Sequence, residues 1–389
     1  MELSRVSKYL TGQEMFKILE KCKYNNSELI HYEIGDQNIE PDENIKNATI
    51  NSILNGDINY TSSEGLFELR VSIQEYTDKF LGYKPDIQQI SVLTANTSID
   101  FLLRSIVNPE DEIIYFTPAF PTYISVIKYN NFNSTAIHLD EHNNFNINIK
   151  TLKKAIKPNT KAIIINSPNN PTGTVIKEKT LKKIYKICKK NNIYLISDET
   201  YSEMYYTKSN KHISCSKFDF CKKNIITINS FSKNYSMVGW RLGYVIGPKN
   251  VIKKVNLMTQ TILSCLPIFT QKGAIAALAL DGKWIKDRNK KLLKRRNYLY
   301  KEINKIKGLS CESPMATFYL FVNIKESMMN CSQFTELLLK NRIVVTPGTS
   351  FGNKYKTYVR FSFGAVTMKQ IKETVIILKK ILGEENESI

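Results

Sequence analysis

Three apolar runs in the middle of the chain each end in side chains able to bind, protonate or attack. Residues 162–166 lead into Ser167-Pro168-Asn169-Asn170-Pro171-Thr172-Gly173, residues 193–197 into Asp198-Glu199-Thr200-Tyr201, and residues 225–229 into Ser230-Phe231-Ser232-Lys233. Gly239-Trp240-Arg241-Leu242-Gly243 follows, with Arg241 eight residues beyond the lysine. Ligands of open α/β sheets bind beyond the C-terminal ends of the strands. Asp, Tyr, Asn, Ser, Lys and Arg placed there three times over read as a site rather than as neutral loops. A lone lysine is ordinarily a surface residue, since lysine is seldom buried. Buried beside other cations, it becomes a partly deprotonated amine, which is a nucleophile and a base. Asp198 offers a carboxylate to a cationic partner, although an Asp after a strand also suits a helix cap. Asn170, before a proline, also suits a turn. Arg360, in Tyr358-Val359-Arg360-Phe361-Ser362-Phe363, presents a fork that matches a carboxylate with two hydrogen bonds.

The elements that must position these residues follow from periodicity. Apolar runs at 112–116, 162–166, 193–197, 225–229 and 244–247 read as strands, and helical patterns lie between them, as in βαβ units. Ile99, Leu102, Leu103, Ile106 and Val107 share one helical face, so a helix begins near Thr94 to Thr97. The basic stretch 284–306 places Trp284, Leu292, Leu299, Ile303 and Ile306 on one face of a long helix. Strands are expected after it near 317–324, 343–346 and 357–363, with helices near 333–341 and 368–382. At 389 residues the chain exceeds the size at which single cores stop growing. The expected fold is α/β: a mostly parallel sheet with helices on both faces, plus a smaller α+β domain. Residues 1–40 would form an N-terminal arm and part of the small domain, 41–284 the large domain, and 285–389 the connecting helix and the rest of the small domain. Residues 384–389 read as a frayed polar tail.

Composition narrows the function class. Apolar content of 42% with 11% aromatic residues is that of a globular protein. The most apolar stretch, 273–280, is too short to span a membrane, and Met1-Glu2-Leu3-Ser4-Arg5 lacks the apolar core of a signal peptide. A soluble, cytoplasmic protein is expected. The seven cysteines are scattered without a CxxC pair, which suits reduced thiols, and the four histidines show no metal-binding spacing, so no metal is expected. The net charge of +19 comes from lysine doublets spread along the chain, not from one basic element. That argues for solvated helix faces and against a nucleic-acid partner, and suits anionic substrates.

With these motifs in place, the chain resembles the class I/II aminotransferases, pyridoxal 5′-phosphate (PLP) enzymes of fold type I in the aspartate aminotransferase superfamily. The motifs run in family order from Gly35 to Arg360. The resemblance implies that Lys233 forms the internal aldimine with PLP and then moves a proton between the substrate Cα and the cofactor. It implies that Asp198 pairs with the pyridine nitrogen, that Asn170 and Tyr201 bond the phenolic oxygen, and that Phe120 stacks on the ring. Ser230 and Arg241 would hold the phosphate, together with the helix N-terminus at Thr94-Ala95-Asn96, while Tyr60 would reach the phosphate of a neighbouring subunit. Arg360 would bind the substrate α-carboxylate, with Gly35 and Asn170 beside it. The partners so implied are an amino acid, a 2-oxo acid and a second copy of the chain in a homodimer with shared sites. Three positions depart from the family. No glycine stands in Thr94-Ala95-Asn96, and Asn96 replaces a commoner Ser, Thr or Lys; Gln37 stands where proline is usual; Ala316 replaces a frequent glycine.

Transamination is the expected reaction. A lyase or synthase of the same fold would use the same Lys233, Asp198 and Arg360, and a non-catalytic PLP-binding regulator would need a DNA-binding module for which the chain before Gly35 has no room. The oxoamine synthases tend to carry histidine at the stacking position, where this chain has Phe120. Side chains near Ile34, Phe120, Tyr123 and Tyr319, with the apolar segment 265–269, would set specificity. They offer no obvious cation for a second carboxylate, so an aromatic, aliphatic or unusual amino acid is expected over aspartate.

Overall fold

Isoleucine-rich runs alternate their side chains between two apolar layers, and that alternation makes the centre of the molecule. Ile114, Phe116, Ile163, Ile165, Leu195 and Ile225 pack in one cluster; Ile113, Ala162, Ile164, Ile196, Ile226 and Ile228 pack in the other. Strands buried on both faces require helices on both faces. The computed structural model describes residues 2–10, 12–22, 28–206 and 212–383; the expected tail at 384–389 lies outside the described residues.

The main sheet has seven strands in the order β2-β8-β7-β6-β5-β3-β4. In chain order, after β1 (Ile30–His31), these are β2 (Ile90–Leu93), β3 (Glu112–Thr117), β4 (Asn133–His138), β5 (Thr160–Asn166), β6 (Tyr194–Asp198), β7 (Ile225–Ser230) and β8 (Gly243–Ile246). All run parallel except β8, which is antiparallel to both β7 and β2. The sequence reading finds five of the seven. It misses β4, an edge strand with exposed Asn133 and Ser134 and no apolar run, and β2, only four residues long though fully buried.

A second, smaller sheet joins β11 (Thr346–Pro347), β12 (Tyr358–Ser362) and β9 (Tyr319–Asn323), all antiparallel. The run expected as one strand at 343–346 is two. β10 (Ile343–Val344) takes β1 as a parallel partner, and after buried Val345 the chain switches to β12. The N-terminal segment is thereby drawn in: Tyr32 N–H donates to Val344 O, and Ser362 N–H to Tyr32 O.

The long helix Lys283–Ile303 lays Leu292, Leu299 and Ile303 against this second core. Arg288 and Arg295 lie on the same buried face. Among the described residues no helix is long and apolar enough to cross a membrane.

Candidate active site

Register brings the polar turns to one edge of the main sheet. Asn166 is level with Asp198 on adjacent β5 and β6, and Asp198 with Ile228 on β7. Ser230 and Leu93 both face Gly243 on the strand between them. A Cβ at Gly243 would lie 2.5 Å from Asn229 O and 3.1 Å from Leu93 O, so only glycine lets these three strands close. The turns after β2, β5, β6 and β7 are thus neighbours. The loop after β3 carries Phe120 at the start of the helix Pro121–Tyr129.

Lys233 lies in the short helix Phe231–Asn234, which Ser230 caps by accepting from Ser232 N–H at 3.2 Å. Its amine donates to Gly35 O, across from the N-terminal segment. Burial pushes that amine down to about 8; Asp36 opposes the shift, while Arg241 and Arg360 add to it. The group is therefore part neutral near physiological pH, as a nucleophile or base must be.

Asp198 is buried, and burial raises its carboxyl above the usual range. Its Oδ1 accepts from Thr200 N–H at 3.0 Å, the cap-like bond the sequence allowed, and its Oδ2 accepts from the Tyr123 hydroxyl. Tyr123 meets Phe120 edge to face at 5.7 Å. Tyr201 is 2.9 Å from the hydroxyl of Tyr319.

Arg360 sits mid-strand on β12, paired with Thr346 and Phe321. Its Nη1 donates to Asn170 Oδ1 at 3.0 Å, and its Nη2 to Glu33 O at 2.6 Å and Thr346 Oγ1 at 3.2 Å. The guanidinium lies over the Tyr319 ring at 4.4 Å, within cation–π range. Burial pushes its pKa down, against the pull of Tyr319, Tyr201 and Glu33. Asn170, in turn, donates its N–H to Asn166 Oδ1 at 2.9 Å. A Cβ at Gly35 would come within 2.7 Å of Tyr319 Oη, so this backbone lies flush against the site.

The remaining expected residues are more open. Thr94 caps the helix Ala95–Ile106 through Thr97 N–H at 3.1 Å, which leaves early N–H groups and the positive helix end for an anion. Asn96 is exposed there, and Ala95 partly so. Arg241, in a left-handed conformation (φ 54°), is exposed and donates to Val238 O at 2.8 Å. Tyr60 is 87% exposed and stands apart from these contacts. Ala316, which stands where the family often has glycine, is fully buried, its N–H on Gly173 O at 3.2 Å.

These residues fit PLP. Asp198 is a buried carboxylate without a cation paired to it among the described residues, and a protonated ring nitrogen would neutralise it. Tyr201 and Asn170 are hydroxyl and amide groups for an oxygen, Lys233 is an amine for a carbonyl, and the helix start with Ser230 and Arg241 suits a phosphate.

Sequence reasoning underrated four side chains. Tyr123 and Tyr319, seen there as specificity residues, also bond Asp198 and Tyr201. Tyr123 was legible, one helical turn after Phe120. Gln37, noted only as a departure, donates to Lys233 O at 2.8 Å. Arg288 donates to the same oxygen at 3.1 Å; a charged residue between Trp284 and Leu292 on the apolar face of a helix was its signal.

The family model described as "Aminotransferase class I and II" matches residues 31–378. An aspartate aminotransferase of Pyrococcus horikoshii is 33% identical, over 96% of this chain and 95% of that protein. An aromatic-amino-acid aminotransferase of Thermococcus litoralis is 30% identical over 92% of each. The crystal structure of an aromatic aminotransferase from Pyrococcus horikoshii superposes with a TM-score of 0.88 at 30% identity, covering 95% of this chain and 99% of that one.

Proposed function

The chain belongs to the class I and II aminotransferases, PLP enzymes that move an amino group between an amino acid and a 2-oxo acid, and on that premise we propose that Lys233 carries the cofactor and that the preferred donors have apolar or aromatic side chains. The observation that carries the reading is half-buried Lys233, whose amine is lowered to about 8, bonds Gly35 O and feels the charges of Arg241 and Arg360.

PLP, when bound, supplies an electron sink for the pair left behind by the departing Cα proton. Arg360 takes the substrate carboxylate in its fork, and Asn170 and Gly35 line the same spot, so the Cα–H bond is turned toward Lys233. Lys233 would take that proton from Cα and deliver it to the cofactor carbon joined to the amino group. Asp198, held by Tyr123 and Thr200 N–H, would face the ring nitrogen, whose positive charge would favour its ionised form. Arg360, Tyr201 and Tyr319 are buried, so water is excluded where charge develops.

Three things support an apolar or aromatic donor. Phe120, Tyr319 and Ile34 supply apolar and aromatic surface. The segment 265–269 adds no cation. The Asp36 carboxylate acts on both Lys233 and Tyr319, and so disfavours a second substrate carboxylate.

In the same reading the enzyme is a homodimer that shares its sites. Exposed Ile58, Tyr60, Phe67, Ile262 and Leu263 are the apolar side chains a second copy would cover. Thr61 N–H on Cys265 Sγ at 3.5 Å ties the Tyr60 segment to the 265 turn. All seven cysteines are free thiols, which suits a reducing cytoplasm.

The test is a donor screen on purified enzyme, following the visible absorption of the cofactor. Conversion to the pyridoxamine form with one equivalent of oxo acid is expected, fastest with aromatic or aliphatic donors. A faster half-reaction with aspartate than with any apolar amino acid overturns the donor assignment; release of ammonia and pyruvate overturns transamination.

A further inference from the structure

The helix that carries Lys233 is one turn long, Phe231–Asn234. Its last carbonyls have no partners within it and carry the negative end of its dipole. Two side chains from distant parts of the chain take them. Gln37 Nε2 donates to Lys233 O at 2.8 Å. Arg288 Nη1 donates to Lys233 O at 3.1 Å and also to Asn234 O, and its Nη2 donates to Glu203 O at 2.7 Å. Arg288 is 1% exposed, and among the described residues no carboxylate forms an ion pair with it, so carbonyl dipoles and the Asn289 amide oxygen solvate its charge.

Gln37 closes a loop. It lies two residues after Gly35, whose carbonyl accepts from the Lys233 amine. One end of Lys233 is thus bonded to Gly35 and the other to Gln37, so the segment facing the substrate carboxylate and the lysine move together. The arrangement is held at a cost, because Gln37 Oε1 is buried without a partner, and a stranded buried acceptor in a native fold calls for a reason.

We propose that Gln37 and Arg288 are positioning residues for Lys233, gripping its carbonyl oxygen from two sides so that the amine keeps its place while it is alternately joined to and freed from the cofactor. Neither touches substrate; each acts through the lysine backbone, as support behind a reacting group does. The proposal rests on the reading of Lys233 as the cofactor-bearing residue.

Gln37→Leu keeps the shape and removes both polar atoms. In the holoenzyme its kcat is expected to fall about tenfold, with KM for the donor within about twofold of wild type. The pH midpoint of the visible band, which reports the nitrogen joined to the cofactor, moves up by about half a unit, because a looser lysine regains water. The thermal midpoint holds or rises, since the stranded oxygen is gone. Arg288→Met gives the same upward midpoint and lower kcat, and Arg288→Lys, which keeps one donor, recovers part of both. Two results overturn the proposal: Gln37→Leu with wild-type kcat and midpoint, or Gln37→Leu with raised KM and unchanged kcat. A Lys233→Ala control separates the two levels. If it loses the band while Gln37→Leu behaves as wild type, only the positioning role falls; if it keeps the band, the cofactor reading falls with it.

Discussion

Arg360 and Arg241 are both arginines of the candidate site, and they are built in opposite ways. Arg360 is 2% exposed, mid-strand, with hydrogen bonds to Asn170, Glu33 and Thr346 and a tyrosine ring beneath it. Arg241 is exposed on a left-handed turn and holds Val238 O of its own loop. The same contrast divides the whole site. Asp198, Asn170 and Tyr201 are buried and bonded before any ligand arrives, whereas Asn96, Arg241 and Tyr60 stand open. The reacting end is set by the fold, where low dielectric makes each charge strong and salt-insensitive. On the proposed reading the phosphate end, buried Ser230 apart, is an anion cradle in contact with water, which the ligand and a second chain would complete.

Substitutions test that division. Lys233→Ala removes the attachment and the base together, and turnover should fall by about 10⁴-fold or more with loss of the visible band; retention of both would break the assignment. Arg360→Leu removes a buried charge and strands its partners, so kcat/KM should fall by about 10²- to 10³-fold at every ionic strength. If the loss shrinks markedly in high salt, the reacting end is not dry. Arg241→Ala should weaken cofactor binding by about tenfold in dilute buffer and by less as salt rises; titration of the cofactor-free protein at two ionic strengths reads this, and a salt-independent loss would erase the contrast between the two ends. Tyr123→Phe removes one hydrogen bond from Asp198 and should lower kcat about fivefold with the fold intact. An unchanged kcat would leave Tyr123 as packing for Phe120.

Much of this was legible in the chain. Continuous apolar runs announced the central strands, and polar residues past their ends pointed to the candidate site, because both signals are local. Edge strand β4 was not, since a solvated strand needs no apolar run. The split between β10 and β11 was hidden because the partner that separates them is β1, some three hundred residues away in sequence. The same holds for Gln37 and Arg288: their bonds to Lys233 O span 196 and 55 residues. Tyr319 over Arg360 depends on cross-strand register, which residue types alone do not set.

The helix Lys283–Ile303 acts as a gauge between the two cores. Arg288 grips the lysine turn, and Arg295, seven residues along, donates to Phe363 O and Gly364 O just past the strand that carries Arg360. Seven residues are about 10.5 Å of helix and almost two whole turns, so both guanidinium groups leave from one side. The spacing between the Lys233 amine and the Arg360 guanidinium is thus indexed to a rigid rod. One residue inserted between Arg288 and Arg295 would swing one of them by about 100° and lose that calibration, even though neither end of the site had changed in sequence.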